Sequence, residues 1–360
     1  MKKKIWKEAS LVLALTLGMS LTACGKDADP TTGAATEAVT QATESTTAGT
    51  SEQVTTATTE AVTEPVSEEK TEEATEDDEE DYTTGDASLD NVRNQDGIGE
   101  KELLVLSFGT SFNDSRRLTI GAIEQTLEDT FKDYSVRRGF TADIVINHVE
   151  KRDGIHIDNV EEALKRAADN GVKTLVVQPT HLMDGIEYTE VIDKVADYTD
   201  AFQKVAISKP LLATDDDFKR VEQAIVDWTK EYDDGKTAIV FMGHGTEAVS
   251  NSVYQRMQDL LTADGYQNYF VGTVEATPSL DDVRELLKKG GYTRVVLEPL
   301  MVVAGDHANN DMAGDEEDSW KTVLTKDGYE VVCLLRGLGE NEAIRQIYAD
   351  HAKEAIDSLQ

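Results

Sequence analysis

The chain has 360 residues, with 70 acidic against 35 basic side chains and a formal charge of −35. Affinity for a phosphate backbone comes from clustered basic residues, so this excess of acid excludes a nucleic-acid binder. Two cysteines, Cys24 and Cys333, exclude a disulfide scaffold and any cysteine-rich zinc or iron–sulfur site.

The chain opens with Lys2, Lys3, Lys4 and Lys7, followed by an apolar run over 11–21 and then Leu21-Thr22-Ala23-Cys24. A basic head, about ten apolar residues and a small-residue cleavage site read as a secretory signal over 1–24, too short to span a bilayer. Its ending resembles the bacterial lipobox, which predicts lipid on Cys24 and an extracytoplasmic, membrane-anchored protein. Residues 25–100 are rich in Thr, Glu, Ala and Asp. Within 26–100 stand 21 acidic and 3 basic residues. With so little apolar surface to bury, this stretch predicts a disordered linker. As a flexible coil it spans roughly 50 Å, and like-charge repulsion extends it further.

The texture changes at Lys101. Apolar runs at 103–108, 144–146, 175–178 and 204–207 alternate with helical spacing at 116–131, 157–169, 187–199 and 215–232. Continuous apolar runs between amphipathic helices predict an α/β fold with a parallel sheet covered on both faces. Asp233-Asp234-Gly235 marks a boundary, after which the pattern restarts. Strands are predicted at 238–242, 269–274, 294–300 and 330–335, and helices at 249–263, 279–289 and 341–358. Gly243-His244-Gly245-Thr246 echoes Gly109-Thr110, and Val296-Leu297-Glu298-Pro299 echoes Val176-Val177-Gln178-Pro179. Two similar Rossmann-like lobes, 101–234 and 235–360, follow, with matching landmarks that suggest internal duplication.

In open parallel sheets, ligands bind beyond the carboxyl ends of the strands. In the second lobe that edge carries His244, Glu275 and His307, each after a different strand. Two imidazoles and a carboxylate suit a borderline divalent cation and leave coordination positions open. Taken singly, His244 also fits a solvated turn, Glu275 a helix-start acid and His307 a surface loop. Asp306, Asp311 and Asp315 flank the last of these as solvated acids. His148, His156 and His351 read as surface or packing residues, and Cys333 as a buried thiol.

Several longer strings carry a resemblance. They are Leu106-Ser107-Phe108-Gly109-Thr110-Ser111, Gln178-Pro179-Thr180-His181, and Phe241-Met242-Gly243-His244-Gly245-Thr246-Glu247. Gly272-Thr273-Val274-Glu275-Ala276-Thr277-Pro278 and the run from Glu298 to Met312 follow. Over 101–355 the chain resembles the anaerobic sirohydrochlorin cobaltochelatases, class II chelatases related to ferrochelatase. The resemblance implies two lobes facing a cleft and insertion of Co²⁺ into sirohydrochlorin in cobalamin biosynthesis, with Ni²⁺ or Fe²⁺ as other metals. It implies His244, Glu275 and His307 as metal ligands, and His244 also as proton acceptor. Loops carrying His181 and Tyr188 are expected over the opposite face of the macrocycle.

Sirohydrochlorin carries many carboxylates, while residues 101–360 are net −20. Arg116, Arg117, Arg137, Arg138, Lys151 and Arg152 are the basic clusters available to meet them. The exported address leaves open a membrane-tethered binder of haem, another tetrapyrrole or a metal, serving uptake or storage. A surface interaction module is a third class, which the intact ligand trio disfavours. The oligomeric state stays open, a homo-oligomer included.

Overall fold

The computed structural model describes residues 84–360. The signal segment, Cys24 and most of the acidic linker lie outside the described residues.

The first lobe is a four-stranded parallel sheet ordered β2-β1-β3-β4. Its strands are β1 (Lys101–Ser107), β2 (Ser135–Phe140), β3 (Thr174–Pro179) and β4 (Lys204–Ile207). The second lobe repeats this order as β6-β5-β7-β8. Here β5 is Thr237–Gly243, β6 Tyr269–Thr273, β7 Arg294–Pro299 and β8 Glu330–Cys333. In β1, Leu103 and Val105 face a central core while Leu104 and Leu106 face an outer one. That period of two, apolar on both faces, is the signature of a sheet covered by helices on each side.

The central core is continuous between the lobes. It joins Leu103 and Ile123 of the first lobe to Ile239, Phe241 and Met257 of the second, through Phe218, Val221, Ile344 and Tyr348. Those last four lie on α6 (Asp215–Thr229) and α10 (Glu342–Asp357). Though last in sequence, α10 packs against β3 and α2 (Ile120–Thr130) of the first lobe. The Tyr348 hydroxyl donates to the Thr180 carbonyl at 2.8 Å. The sequence reading puts this helix in the second lobe; its apolar face fixes the lobes to one another.

Two local expectations are overturned. Ile144-Val145-Ile146 is not a strand but part of α3 (Asp143–Asp153), where Ile146 is buried and Ile144 exposed. The strand is Ser135–Phe140, which holds buried Arg137 and Arg138. Residues 84–100 are also part of the fold. Asp90 accepts from Arg116 Nε at 2.7 Å and from Arg138 at 2.7 and 3.1 Å.

The central strand registers and the first loop hydrogen bonds correspond between the two lobes. Leu106 pairs with Pro179 as Met242 pairs with Pro299. Thr180 N–H donates to the Leu106 carbonyl, and Leu300 N–H to that of Met242. Leu211 and Leu212 donate to His181 and Leu182, as Leu338 and Gly339 donate to Met301 and Val302. The loops also touch reciprocally across the lobes. A Cβ on Gly305 would stand 3.1 Å from Thr110 Oγ1, and one on its counterpart Gly185 3.5 Å from Ser250 Oγ. The carboxyl edges of both sheets therefore face one cleft.

Candidate metal centre

His244 follows β5 directly. Gly245 behind it has φ +91°, and a Cβ there would stand 2.8 Å from the Ala276 nitrogen. Only glycine lets the backbone turn so close to the β6 loop. Gly245 N–H donates to the Tyr254 hydroxyl at 3.4 Å, which anchors the turn on the helix α7 (Ser252–Ala263). The Glu275 N–H donates to the His244 carbonyl at 2.9 Å. One hydrogen bond thus ties together the backbones that carry two of the three expected ligands.

His307 stands in the loop after β7, just before a turn of π-helix at Ala308–Met312. That loop leans on the first lobe, where the Ser115 hydroxyl accepts from Ala304 N–H at 3.0 Å. The ligand atoms of His244, Glu275 and His307 all lie within 4.8 Å of one another. The two imidazoles meet edge-on, with centroids 4.6 Å apart and planes at 82°. Ligands about 2.1 Å from a shared metal stand about 3–4 Å apart, so small side-chain rotations close the trio around a cation. His244 and Glu275 are exposed and His307 half-buried, which leaves the outer side open.

The outer shell fixes both tautomers. His244 Nδ1 donates to the Gly245 carbonyl at 2.7 Å, since a carbonyl can only accept. His307 Nδ1 meets Asp311 Oδ2 at 2.8 Å. Both Nε2 lone pairs are left free for a metal. The hydrogen bond to Asp311 raises the His307 pKa; burial opposes this, and the charges of Asp311, Asp306 and Glu275 add to the rise. Asp311 is the functional residue that sequence reasoning missed by treating it as a solvated acid. Its spacing of four from His307 was the available signal. Asp306 instead accepts from Asn310, and Asp315 from Lys321.

Among the described residues a second trio, His156, Asp158 and Glu162, has comparable spacing. Its Asp158 is buried and already accepts from Arg137 and from both Nε and a terminal nitrogen of Arg166. Those guanidiniums would have to be displaced before a cation could bind, so this group is an ion-pair network. His148 is exposed, whereas His351 is buried against Asp217 at 2.9 Å. Cys333 is a half-buried free thiol whose pKa burial pushes up.

The basic clusters expected to meet substrate carboxylates are largely inside the protein. Arg116, Arg137 and Arg138 are 0–1 % exposed and bound to Asp90, Asp158 and Glu124. Nearer the surface, Arg117 pairs with Asp114 and Arg152 with Asp153. Only Lys151 is both exposed and without an ion pair in this set.

His181 and Tyr188 lie on the first-lobe side. The Tyr188 hydroxyl donates to the Ser208 carbonyl at 3.1 Å. His181 is buried, with neither ring nitrogen hydrogen-bonded, and desolvation lowers its pKa to about 4. Neither residue lines the cleft of about 370 Å³ nearby in sequence, whose walls are Asp184, Gly185, Ile186 and Glu190 on one side and Val249 and Ser250 on the other.

A family model of cobalt chelatase (CbiK) matches residues 101–357. The sirohydrochlorin cobaltochelatase of Salmonella typhimurium is 36% identical over 258 residues, 72% of this chain and 97% of the relative. The sirohydrochlorin cobaltochelatase CbiKC of Nitratidesulfovibrio vulgaris is 29% identical over 276 residues, 76% of this chain and 97% of that one. Among solved structures, SirB from Bacillus subtilis with Fe³⁺ superimposes with a TM-score of 0.53 at 13% identity. That superposition covers 72% of this chain and 97% of SirB, and it supports the fold alone.

Proposed function

This chain belongs to the cobalt chelatase (CbiK) family, and we propose that it inserts Co²⁺ into sirohydrochlorin, the chelation step of anaerobic cobalamin synthesis. The observation that carries this reading is the convergence of His244, Glu275 and His307 at one sheet edge, with both imidazole Nε2 atoms free. Insertion exchanges two pyrrole protons for one divalent cation, so the site must both hold a metal loosely and accept protons. Two neutral imidazoles and one carboxylate hold Co²⁺ while leaving positions open to the macrocycle nitrogens. The Glu275 carboxylate offsets part of the metal charge. As the metal passes into the ring, the His244 Nε2 lone pair is released and accepts one pyrrole proton. Ni²⁺ and Fe²⁺ suit the same donor set.

The test is to mix the full chain with sirohydrochlorin and Co²⁺, Ni²⁺ or Fe²⁺ and to follow the macrocycle absorbance. Wild type should convert the spectrum with Co²⁺, and His244→Ala should not, while unfolding as cooperatively as wild type. An unaltered rate in His244→Ala would remove the site from the reaction.

The signal segment supports a separate proposal, that the chain stands outside the cytoplasm, lipid-anchored through Cys24 and held off the membrane by its acidic linker, although corrin synthesis is expected inside the cell. Labelling with a fatty-acid analogue, lost in Cys24→Ala, tests it. The exported address also favours a second reading, a tethered tetrapyrrole or metal binder for uptake or storage. Multiple turnovers with excess sirohydrochlorin select the enzyme; one equivalent bound without turnover selects the binder.

A further inference from the structure

The loop that carries His307 is braced from both lobes. The carbonyls of Met301 and Val302 accept from Leu338 N–H and Gly339 N–H of the second lobe, at 2.9 and 3.0 Å. The next three residues lean the other way. Val303 packs against a cluster of Ile120, Phe140, Ile146, Val149 and Ile157, all from the first lobe. Ala304 N–H donates at 3.0 Å to the hydroxyl of Ser115, which stands on α1 (Asn113–Leu118). Gly305 lies so close to Thr110 that a Cβ on it would stand 3.1 Å from Oγ1.

Beyond Gly305 the chain closes into the turn that holds the imidazole. Asn309 Nδ2 donates to the Gly305 carbonyl at 2.8 Å and to the Ala304 carbonyl at 3.4 Å. Asn309 N–H donates to the Gly305 carbonyl at 3.1 Å. His307 stands between these residues in sequence, with its Nδ1 on Asp311. Ala304 is therefore held at both ends: its N–H by the first lobe, its carbonyl by a side chain two residues beyond the ligand. At 4 % exposure it has little access to water, so loss of the Ser115 acceptor leaves a buried N–H that only a shift of the loop can satisfy.

The brace is one-sided. The loop around Gly185 approaches Ser250 of the opposite lobe, and the buried Ser250 Oγ has no hydrogen-bond partner. Ser115 and Ser250 each face a loop of the other lobe, and only Ser115 bonds to it.

We propose that Ser115 is a positioning residue for the metal centre. From the first lobe, and without touching the cation, its hydroxyl sets the His307 imidazole through Ala304 and Asn309. On the chelatase reading above, this links metal affinity to the spacing of the lobes. A separation of about 1 Å breaks a hydrogen bond of this length. Parting the lobes to admit or release a macrocycle thus loosens His307, and bringing them together restores the trio. With His307 loosened, His244 and Glu275 hold the cation alone.

The test uses the full chain and Co²⁺ alone, with no macrocycle, and cooperative unfolding is checked first in every variant. Ser115→Ala should weaken Co²⁺ binding about tenfold by titration calorimetry, the lower end of what loss of an outer-shell partner costs. The visible bands of bound Co²⁺ should shift as one imidazole leaves the coordination sphere, which a purely structural role would not produce. Ser115→Thr keeps the hydroxyl and should restore both readouts. In an Asn309→Ala background, Ser115→Ala should change the affinity less than about twofold, because the route to His307 is already cut. Wild-type affinity and spectrum in Ser115→Ala overturn the proposal. So does a loss that Ser115→Thr fails to restore, and so do losses from Ser115→Ala and Asn309→Ala that simply multiply. Because no macrocycle is present, a chain that binds Co²⁺ and inserts none fails at the chelatase reading and leaves the role of Ser115 standing.

Discussion

Asp90 provides a sharp test of where the folded module begins. Its side chain is 2 % exposed and accepts three hydrogen bonds from two guanidiniums that are themselves 0 % exposed. Arg138 keeps a second carboxylate, since Glu124 accepts from it at 2.7 Å twice. Among the described residues Arg116 has no second carboxylate in hydrogen-bonding range; it retains Asn113 Oδ1 at 2.5 Å and the Thr110 carbonyl at 3.1 Å, with the charge of Asp153 farther off. Asp90→Asn keeps the shape and removes the charge, which leaves Arg116 buried without a paired carboxylate. Breaking one side of a buried pair costs about 3–5 kcal/mol. At about 2–4 °C per kcal/mol for a module of this size, the melting temperature should fall by roughly 6–20 °C. The pH dependence follows from the carboxyl's shift. Burial pushes the Asp90 pKa up, but the hydrogen bonds and charges of Arg138 and Arg116 outweigh it, and the net value lies below the usual 3.8. A depressed acid contributes stability that is present above its unfolded pKa and lost as pH falls through the folded one. Wild type and Asp90→Asn should therefore differ most at pH 5–8 and converge as pH falls through the folded carboxyl pKa, which lies below 3.8. Calorimetry on the full chain at pH 7 and at successively lower pH reads both effects. A loss under 1 kcal/mol at pH 7 would refute the claim that this segment is a structural part of the first lobe.

Two further outcomes follow from the site. Asp311→Asn should weaken Co²⁺ binding about 10–100-fold by loosening the His307 ring, measured by titration calorimetry, with thermal stability nearly unchanged. Gly245→Ala forces a Cβ at φ +91° against the Ala276 nitrogen, so it should displace the His244 turn. The strain is about 1–3 kcal/mol, and the expected result is lost insertion activity in a protein that still unfolds cooperatively.

The fold was legible wherever burial was written in apolar runs. β1, β5 and β7 announce themselves because hydrophobic side chains fill both faces of the sheet. β2 did not, because Arg137 and Arg138 occupy core positions whose charges are met by Asp158, Glu124 and Asp90. Those partners lie 14 to 48 residues away, and no local pattern reveals them. Ile144-Val145-Ile146 misled for the opposite reason: three apolar residues in a row cannot distinguish a strand from one turn of helix. The convergence of His244, Glu275 and His307 was legible from topology, since strand ends at one sheet edge meet whatever their separation in sequence.

The charge of the folded part acts oppositely on the two substrates. Residues 101–360 carry −20, and the arginines that would offset an anionic ligand are spent on internal carboxylates. Such a field concentrates divalent cations around an exposed trio and repels a polycarboxylate macrocycle. The metal therefore arrives with electrostatic help, and the ring must be held by other means. For the proposed tetrapyrrole the cleft walls would supply them: Ile186 is 61 % exposed and Val249 94 % on the two sides. At about 25 cal/mol per Å² of apolar surface covered, a flat ring laid on such residues gains several kcal/mol without any salt bridge. Retention by apolar contact is weakly dependent on salt, whereas metal capture by an acidic surface weakens as salt screens it. On the proposed function the labour divides accordingly: the edge that carries His244, Glu275 and His307 takes the cation, and the apolar walls around Ile186 and Val249 take the ring.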